Sequence, residues 1–253
     1  MKNILSIILS SLLVVSIFNS YYFINKFQKQ NELIYQIKEN ALNENKYSAE
    51  NTWLGKKDPT VVLMGSSVTR GLGASSPDKT WSGLLKSFFQ KTNPDLNFIN
   101  LGVDGFKTTD LLNISLQIIS NLNPDVILIE TCLINDFSMY TVSESTQNIE
   151  TIVSKLKLAF PNVRIYLMPP NIIVHKNVRN SEGLLFNEYV SKVGDYIKLK
   201  GWNYIDFWND YEKGYSSIGL TLEQTLIQDQ IHPNDLGYEL WFNAIRRNFI
   251  VYD

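Results

Sequence analysis

Short runs rich in apolar residues recur along the second part of this chain. They stand at Val61–Met64, Leu96–Leu101, Val126–Cys132, Val163–Met168 and Tyr204–Phe207. Each has the length of a strand. Val126 to Ile129 is wholly apolar, as in a sheet covered on both faces. Between these runs the apolar positions change period. Trp81, Leu84, Leu85, Phe88 and Phe89 fall on one stripe of a helix over 81–90. Leu111, Ile114, Ile118 and Leu122 do the same across 108–121. Ile149, Ile152, Val153, Leu156, Ala159 and Phe160 mark a third helix. A long helix is expected at about 181–200 and a last one from Gly237 to about Phe249. Strand and helix thus alternate, and that pattern predicts an α/β domain with a parallel sheet and helices on both faces.

Upstream the pattern is different. No charge occurs between Lys2 and Lys26, and Ile4 to Ile24 is mostly Ile, Leu, Val, Phe and Ser. At about 1.5 Å per residue this stretch can cross a hydrocarbon core of about 30 Å. Tyr21, Tyr22 and Phe23 suit a membrane interface. A cleavable signal peptide is the rival reading. Phe18 and Asn19 stand where its cleavage site would need small residues, so residues 1–25 are expected to form a retained transmembrane anchor. Residues 26–58 are polar, with sparse apolar positions at Leu33, Ile34, Ile37 and Leu42, and read as a stalk. The folded domain is then expected over 59–253, exported to the periplasmic or extracellular side, or secreted if the segment is cleaved.

Composition narrows the partners. A net charge of −2 provides no basic face for nucleic acid. The one cysteine, Cys132, excludes an internal disulfide and sits in an apolar run, which predicts a buried structural thiol. No Cys/His cluster has metal spacing, so no metal or cofactor is expected.

The candidate chemistry lies where strands end. Val61–Met64 runs straight into Gly65-Ser66-Ser67, and the carboxyl edge of a parallel sheet is where such folds bind ligands. A serine-rich turn is also what an ordinary strand-to-helix loop carries. The other end of the chain changes the balance. Asp229 and His232 are three apart, on one side of a helical turn or tight bend, so His232 can reach a serine while Asp229 holds its other nitrogen. The chain has two histidines, 175 and 232, and His232 has the carboxylate at a useful offset. His175 reads as an exposed loop residue. The second strand ends in Asn100-Leu101-Gly102-Val103-Asp104-Gly105 and the third in Ile134-Asn135-Asp136. Gly105 could bring a backbone N–H close and Asn135 an amide, the donors that a tetrahedral oxyanion needs. The aromatic-rich segment Trp202, Tyr204, Phe207, Trp208, Tyr211 and Tyr215 reads as core, with a sugar-stacking or membrane-facing wall as the alternative.

Taken together these blocks resemble the SGNH (GDSL-type) hydrolase superfamily over about residues 60–250. The Gly-Asp-Ser block corresponds to Gly65-Ser66-Ser67, the second-block glycine to Gly105, the Gly-x-Asn-Asp block to Leu133-Ile134-Asn135-Asp136, and the Asp-x-x-His block to Asp229 to His232. The resemblance implies a flavodoxin-like three-layer α/β/α sandwich with a five-stranded parallel sheet. It also implies Ser67 as nucleophile, His232 as general base, Asp229 as its orienting acid, and an oxyanion hole from the Ser67 N–H, Gly105 and Asn135. Two positions depart from the pattern. Ser66 replaces an Asp, which alters the support of the turn, and Leu133 replaces a Gly, which adds bulk beside the cleft. The expected activity is that of a serine esterase acting through a Ser67 acyl-enzyme on a cell-envelope or extracellular carbohydrate or lipid ester, with acetyl favoured over long acyl groups. The alternatives are an acyltransferase using the same triad, a lysophospholipase or thioesterase, and a non-catalytic glycan-binding module.

Overall fold

The computed structural model describes residues 56–249 except 116–118, 120, 175 and 176. The expected anchor at 1–25, most of the stalk and His175 lie outside the described residues, as does part of the 108–121 helix. Among the described residues no helix is long and apolar enough to cross a membrane.

Five parallel strands form one sheet: β1 (Thr60–Gly65), β2 (Asn97–Gly102), β3 (Val126–Glu130), β4 (Arg164–Met168) and β5 (Asn203–Tyr204). Their order is β2-β1-β3-β4-β5. Chain direction across the sheet therefore reverses between β1 and β3, the place where open α/β sheets form a crevice at their carboxyl ends. Every residue of β3 is buried, as its unbroken apolar run requires. The fifth strand is shorter than expected. Ile205 still donates to the Leu167 carbonyl, at 2.8 Å, but Phe207 already caps the next helix.

Alternation splits the strand side chains between two helical layers. Val62, Met64, Ile127, Ile129, Ile165 and Leu167 join one core with α5 (Val142–Ala159) and α6 (Phe186–Leu199). Val61 and Leu63, equally buried, face the other way. On that side α2 (Trp81–Gln90), α7 (Trp208–Ser217) and α8 (Asp235–Ile245) pack together. Trp241 lies stacked between Trp81, at 5.3 Å between ring centroids, and Phe207, at 4.8 Å. The three layers are those of the expected sandwich.

Helix ends follow local chemistry that apolar periodicity does not register. The third expected helix begins earlier, at Val142, because Thr141 accepts from Glu144 N while Glu144 accepts from Thr141 N. The helix expected from 181 begins at Phe186 instead. Asn180 accepts from the Glu182 and Leu184 backbones, which holds 180–184 in a turn. The last helix starts at Asp235, capped by Asn234, and loosens into a 3-10 turn at Arg246–Phe249.

Candidate active site

The turn after β1 becomes a short helix, α1 (Ser67–Arg70), rather than an open loop. Gly65 is required there. A Cβ on it would stand 2.1 Å from Thr69 Oγ1 and 2.7 Å from Glu130 Oε2. Ser67 occupies the first helical position, whose N–H has no acceptor within the helix. The residue is 8% exposed, so it is largely buried at the carboxyl end of β1.

The loop from 227 to 234 carries the second half of the site. Ile227 N donates to the His232 carbonyl at 2.8 Å, and Gln230 takes a positive φ of 60°, which folds 229–232 into a tight bend. Neighbouring loops hold it in place. Val174 N donates to the Gln230 carbonyl at 3.1 Å, and the buried Asn171 amide donates to the Ile231 carbonyl at 2.7 Å. His232 Nε2 lies 2.8 Å from Ser67 Oγ. Its Nδ1 lies 2.6 Å from Asp229 Oδ2. The other Asp229 oxygen accepts from the Ile231 and His232 backbones, at 2.8 and 3.0 Å. Partial burial pushes the Asp229 carboxyl up, but the hydrogen bonds from the His232 backbone, the His232 ring and Ile231 outweigh it and hold the group below the usual aspartate range. A charged acid fixed on Nδ1 leaves Nε2 as the basic nitrogen toward the serine.

Two more loops reach the same edge. Val103 N donates to the Gly65 carbonyl at 3.1 Å, so the loop after β2 starts beside the serine turn. Gly105 follows with φ of 74° in a turn closed by Phe106 N to the Val103 carbonyl. A Cβ at Gly105 would meet nothing within 4 Å, so the glycine serves its backbone conformation and leaves open space above it. Asn135 sits on α4 (Leu133–Asp136), after β3, and its Nδ2 donates to the Phe106 carbonyl at 2.8 Å. The amide carries a second N–H on the same nitrogen. The structure thus ties the Gly105 and Asn135 loops to each other.

Leu133 does not narrow the cleft. It is 1% exposed and belongs to the α5/α6 core, because the α4 turn directs position 133 inward. The aromatic segment divides. Phe207, Tyr211 and Tyr215 are buried, while Trp202, Tyr204 and Trp208 are half-buried. Trp208 Nε1 donates to the Pro170 carbonyl at 2.7 Å, and its ring lies 6.0 Å from that of Phe186. Cys132 is buried at the α4 N-cap with a positive φ of 56°. Burial pushes its thiol well above the ordinary range, and the nearby Glu130 and Asp136 carboxyls push it further.

Two acids of the site were not anticipated. Glu130 ends β3 fully buried, and its Oε2 accepts from Ser66 N, Ser66 Oγ and Thr69 Oγ1. Asp136, also fully buried, accepts from Thr108 N at 3.0 Å, Thr108 Oγ1 at 2.7 Å and Ser145 Oγ. It therefore ties α4 to α3 (Thr108–Asp110), the element that follows Gly105. Burial pushes both carboxyls up, against hydrogen bonds that pull them down. The signal for Glu130 was its place at the end of a run that is otherwise apolar.

The family model of the GDSL-like lipase/acylhydrolase family matches residues 63–240, from β1 through the start of α8. The chain belongs to that family. Membership makes it a serine ester hydrolase, in keeping with the chain of contacts from Ser67 through His232 to Asp229. Solved structures agree in fold. A two-domain esterase (CEX) active on acetylated mannans matches with a TM-score of 0.61 at 18% identity, over 77% of this chain and 49% of that one. This chain thus spans about half that esterase's length. The acetyl xylan esterase AlAXEase matches with a TM-score of 0.59 at 20% identity, over 76% of this chain and 100% of that one. The psychrotrophic esterase EstA from Pseudoalteromonas sp., in a structure inhibited by monoethylphosphonate, matches with a TM-score of 0.58 at 18% identity, over 76% and 99% of the two chains. No curated protein matches the chain by sequence.

Proposed function

We propose that this hydrolase removes short acyl groups, acetyl above all, from hydroxyls of a cell-envelope or extracellular carbohydrate, through an acyl-enzyme on Ser67. The observation that carries the reading is the continuous chain from Ser67 Oγ through His232 to Asp229, at 2.8 and 2.6 Å. Ser67 Oγ attacks the ester carbonyl as His232 Nε2 takes its proton. The developing oxyanion receives the Ser67 N–H, the Gly105 N–H and the second N–H of the Asn135 amide. His232 then returns the proton to the departing sugar oxygen as its bond to the acyl carbon breaks, which releases the sugar hydroxyl. Water, activated by the same imidazole, attacks the acyl-enzyme and regenerates Ser67. Asp229 orients the ring and stabilises its charged form throughout.

The short acyl group and the carbohydrate are supported by two of the structural neighbours, esterases of acetylated mannan and of acetyl xylan. The apolar stretch 4–24 supports a membrane-anchored domain. Two measurements test the reading. A fluorophosphonate probe should label the full-length protein at Ser67. Activity across p-nitrophenyl esters should be greatest for acetyl, and the enzyme should release acetate from acetylated glycans. A pocket that accepted longer chains would gain up to about 0.8 kcal/mol per added methylene, so a maximum at ~8 carbons or beyond would reject the short-acyl reading in favour of a lysophospholipase or thioesterase.

A further inference from the structure

An ionisable carboxyl at the end of a wholly buried strand is costly unless several donors meet it. Glu130 is met by four hydrogen bonds, and all four come from the two segments that carry the proposed chemistry. Its Oε2 accepts from Ser66 N at 2.7 Å, Ser66 Oγ at 2.8 Å and Thr69 Oγ1 at 3.2 Å, on either side of Ser67. Its Oε1 accepts from Cys132 N at 2.7 Å, the residue that caps the helix bearing Asn135. No ion pair among the described residues includes Glu130. A carboxylate is the one side chain that can take donors from both segments without offering one of its own.

We infer that Glu130 is a positioning residue, a buried carboxylate that fixes the Ser67 turn against the Asn135 turn and takes over from β3 the support that an acid at position 66 would give. Ser66 is its matching half. Its hydroxyl donates to Glu130 instead of capping α1, which has no side-chain cap. The two positions are therefore coupled. An aspartate at 66 would set a second carboxylate against Glu130 Oε2, two like charges in a site closed to water. This inference deepens the reading of Ser67 as nucleophile and rests on it.

The test uses full-length protein carrying Glu130→Gln, Ser66→Ala, Ser66→Asp and the double change Ser66→Asp/Glu130→Gln. Each is followed by p-nitrophenyl acetate kinetics, by the rate of fluorophosphonate labelling and by thermal unfolding. Glutamine keeps the shape but presents an NH2 group to one of the donors. It should lower kcat by about 10²-fold with KM nearly unchanged, the scale of a small misplacement of reacting groups. Ser66→Ala removes one hydroxyl and should lower kcat about tenfold or less in a protein that still folds. Ser66→Asp should be worse than Ser66→Ala, and the double change should restore at least about tenfold of what Ser66→Asp loses, because one acid is again opposed by a neutral group. If Glu130→Gln does not fold, the Ser66 variants decide. Folded Ser66→Ala and Ser66→Asp protein with wild-type kcat would overturn the inference, as would a folded Glu130→Gln that loses only thermal stability. Absence of probe labelling at Ser67 in the wild type is a separate result that would reject the nucleophile itself.

Discussion

The two halves of the site are held by opposite means. The serine turn is wedged into the core. Ser66 is 1% exposed, Gly65 has no room for a side chain, and a buried acid receives the donors on both sides of Ser67. The Asp229–His232 bend lies outside, with the Asp229 side chain 39% exposed, and backbone hydrogen bonds within the bend and from the loop after β4 hold it. The first half is specified by sterics between elements distant in sequence, the second by a few consecutive residues. Substitutions of Gly65 and Ser66, which wedge the serine turn into the core, should therefore disturb folding and chemistry together, whereas those in the bend and at the Ser67 hydroxyl should separate the two.

The largest expected effect is on the chemistry alone. Ser67→Ala should lower kcat on p-nitrophenyl acetate by about 10⁴-fold or more, leaving only what an oxyanion hole provides without a nucleophile. Its unfolding free energy should stay near wild type, because the change removes a single hydroxyl whose hydrogen bond is to His232. Asp229→Asn should follow, with a loss of about 10⁴-fold in kcat, the scale on which an asparagine in a triad stabilises the wrong imidazole tautomer. Its urea midpoint should barely move. A large loss of stability in Asp229→Asn would break the contrast, since it would mean that the bend too is built into the core.

Gly65→Ala probes the other half. The added methyl collides with the branched carbon of Thr69, at 2.8 Å, and with the Glu130 carboxylate. Neither can retreat, since both are buried and hydrogen-bonded to each other. A cost of about 1–3 kcal/mol in urea unfolding is expected, together with loss of activity. The same substitution at Gly105, where nothing stands within 4 Å, brings only the cost of a positive φ.

This contrast also explains what the sequence disclosed. Asp229 and His232 are close in the chain, so their geometry follows from an offset of three, and the structure realises it as a bend. The strands were legible because unbroken apolar runs at Val61–Met64 and Val126–Ile129 leave no alternative to a covered sheet. Glu130 was not, because its role depends on the register that sets β3 beside β1, where Met64 pairs with Ile129 and the next position meets the serine turn. Leu133 was misplaced for the same reason, since its direction is set by α4, a helix of four residues with no periodicity to reveal it. The α7 helix has a sequence signal in the helical spacing of Trp208, Tyr211 and Tyr215, but the aromatic density of the segment masks that period.

The smallest effect is the dependence of stability on pH, and its sign should differ between the halves. Hydrogen bonds hold Asp229 below the usual aspartate range in the folded protein. An acid whose folded pKa lies below its unfolded value stabilises above the unfolded value, and that contribution disappears as pH falls through the folded one. Burial raises Glu130 instead, despite the hydrogen bonds it accepts. The folded state then holds the proton more tightly than the unfolded chain, so the contribution of Glu130 is full below the ordinary glutamate range and is lost as pH rises through its higher folded value. Unfolding free energies of wild type, Asp229→Asn and Glu130→Gln across the acid range to neutrality separate the two. The wild-type advantage over Asp229→Asn should grow as pH rises through the aspartate range. The difference between wild type and Glu130→Gln should change in the opposite direction, from the glutamate range upward. Two differences that run parallel with pH would show that the serine turn and the histidine bend share one electrostatic environment, and the division into a core-built and a chain-built half would fail.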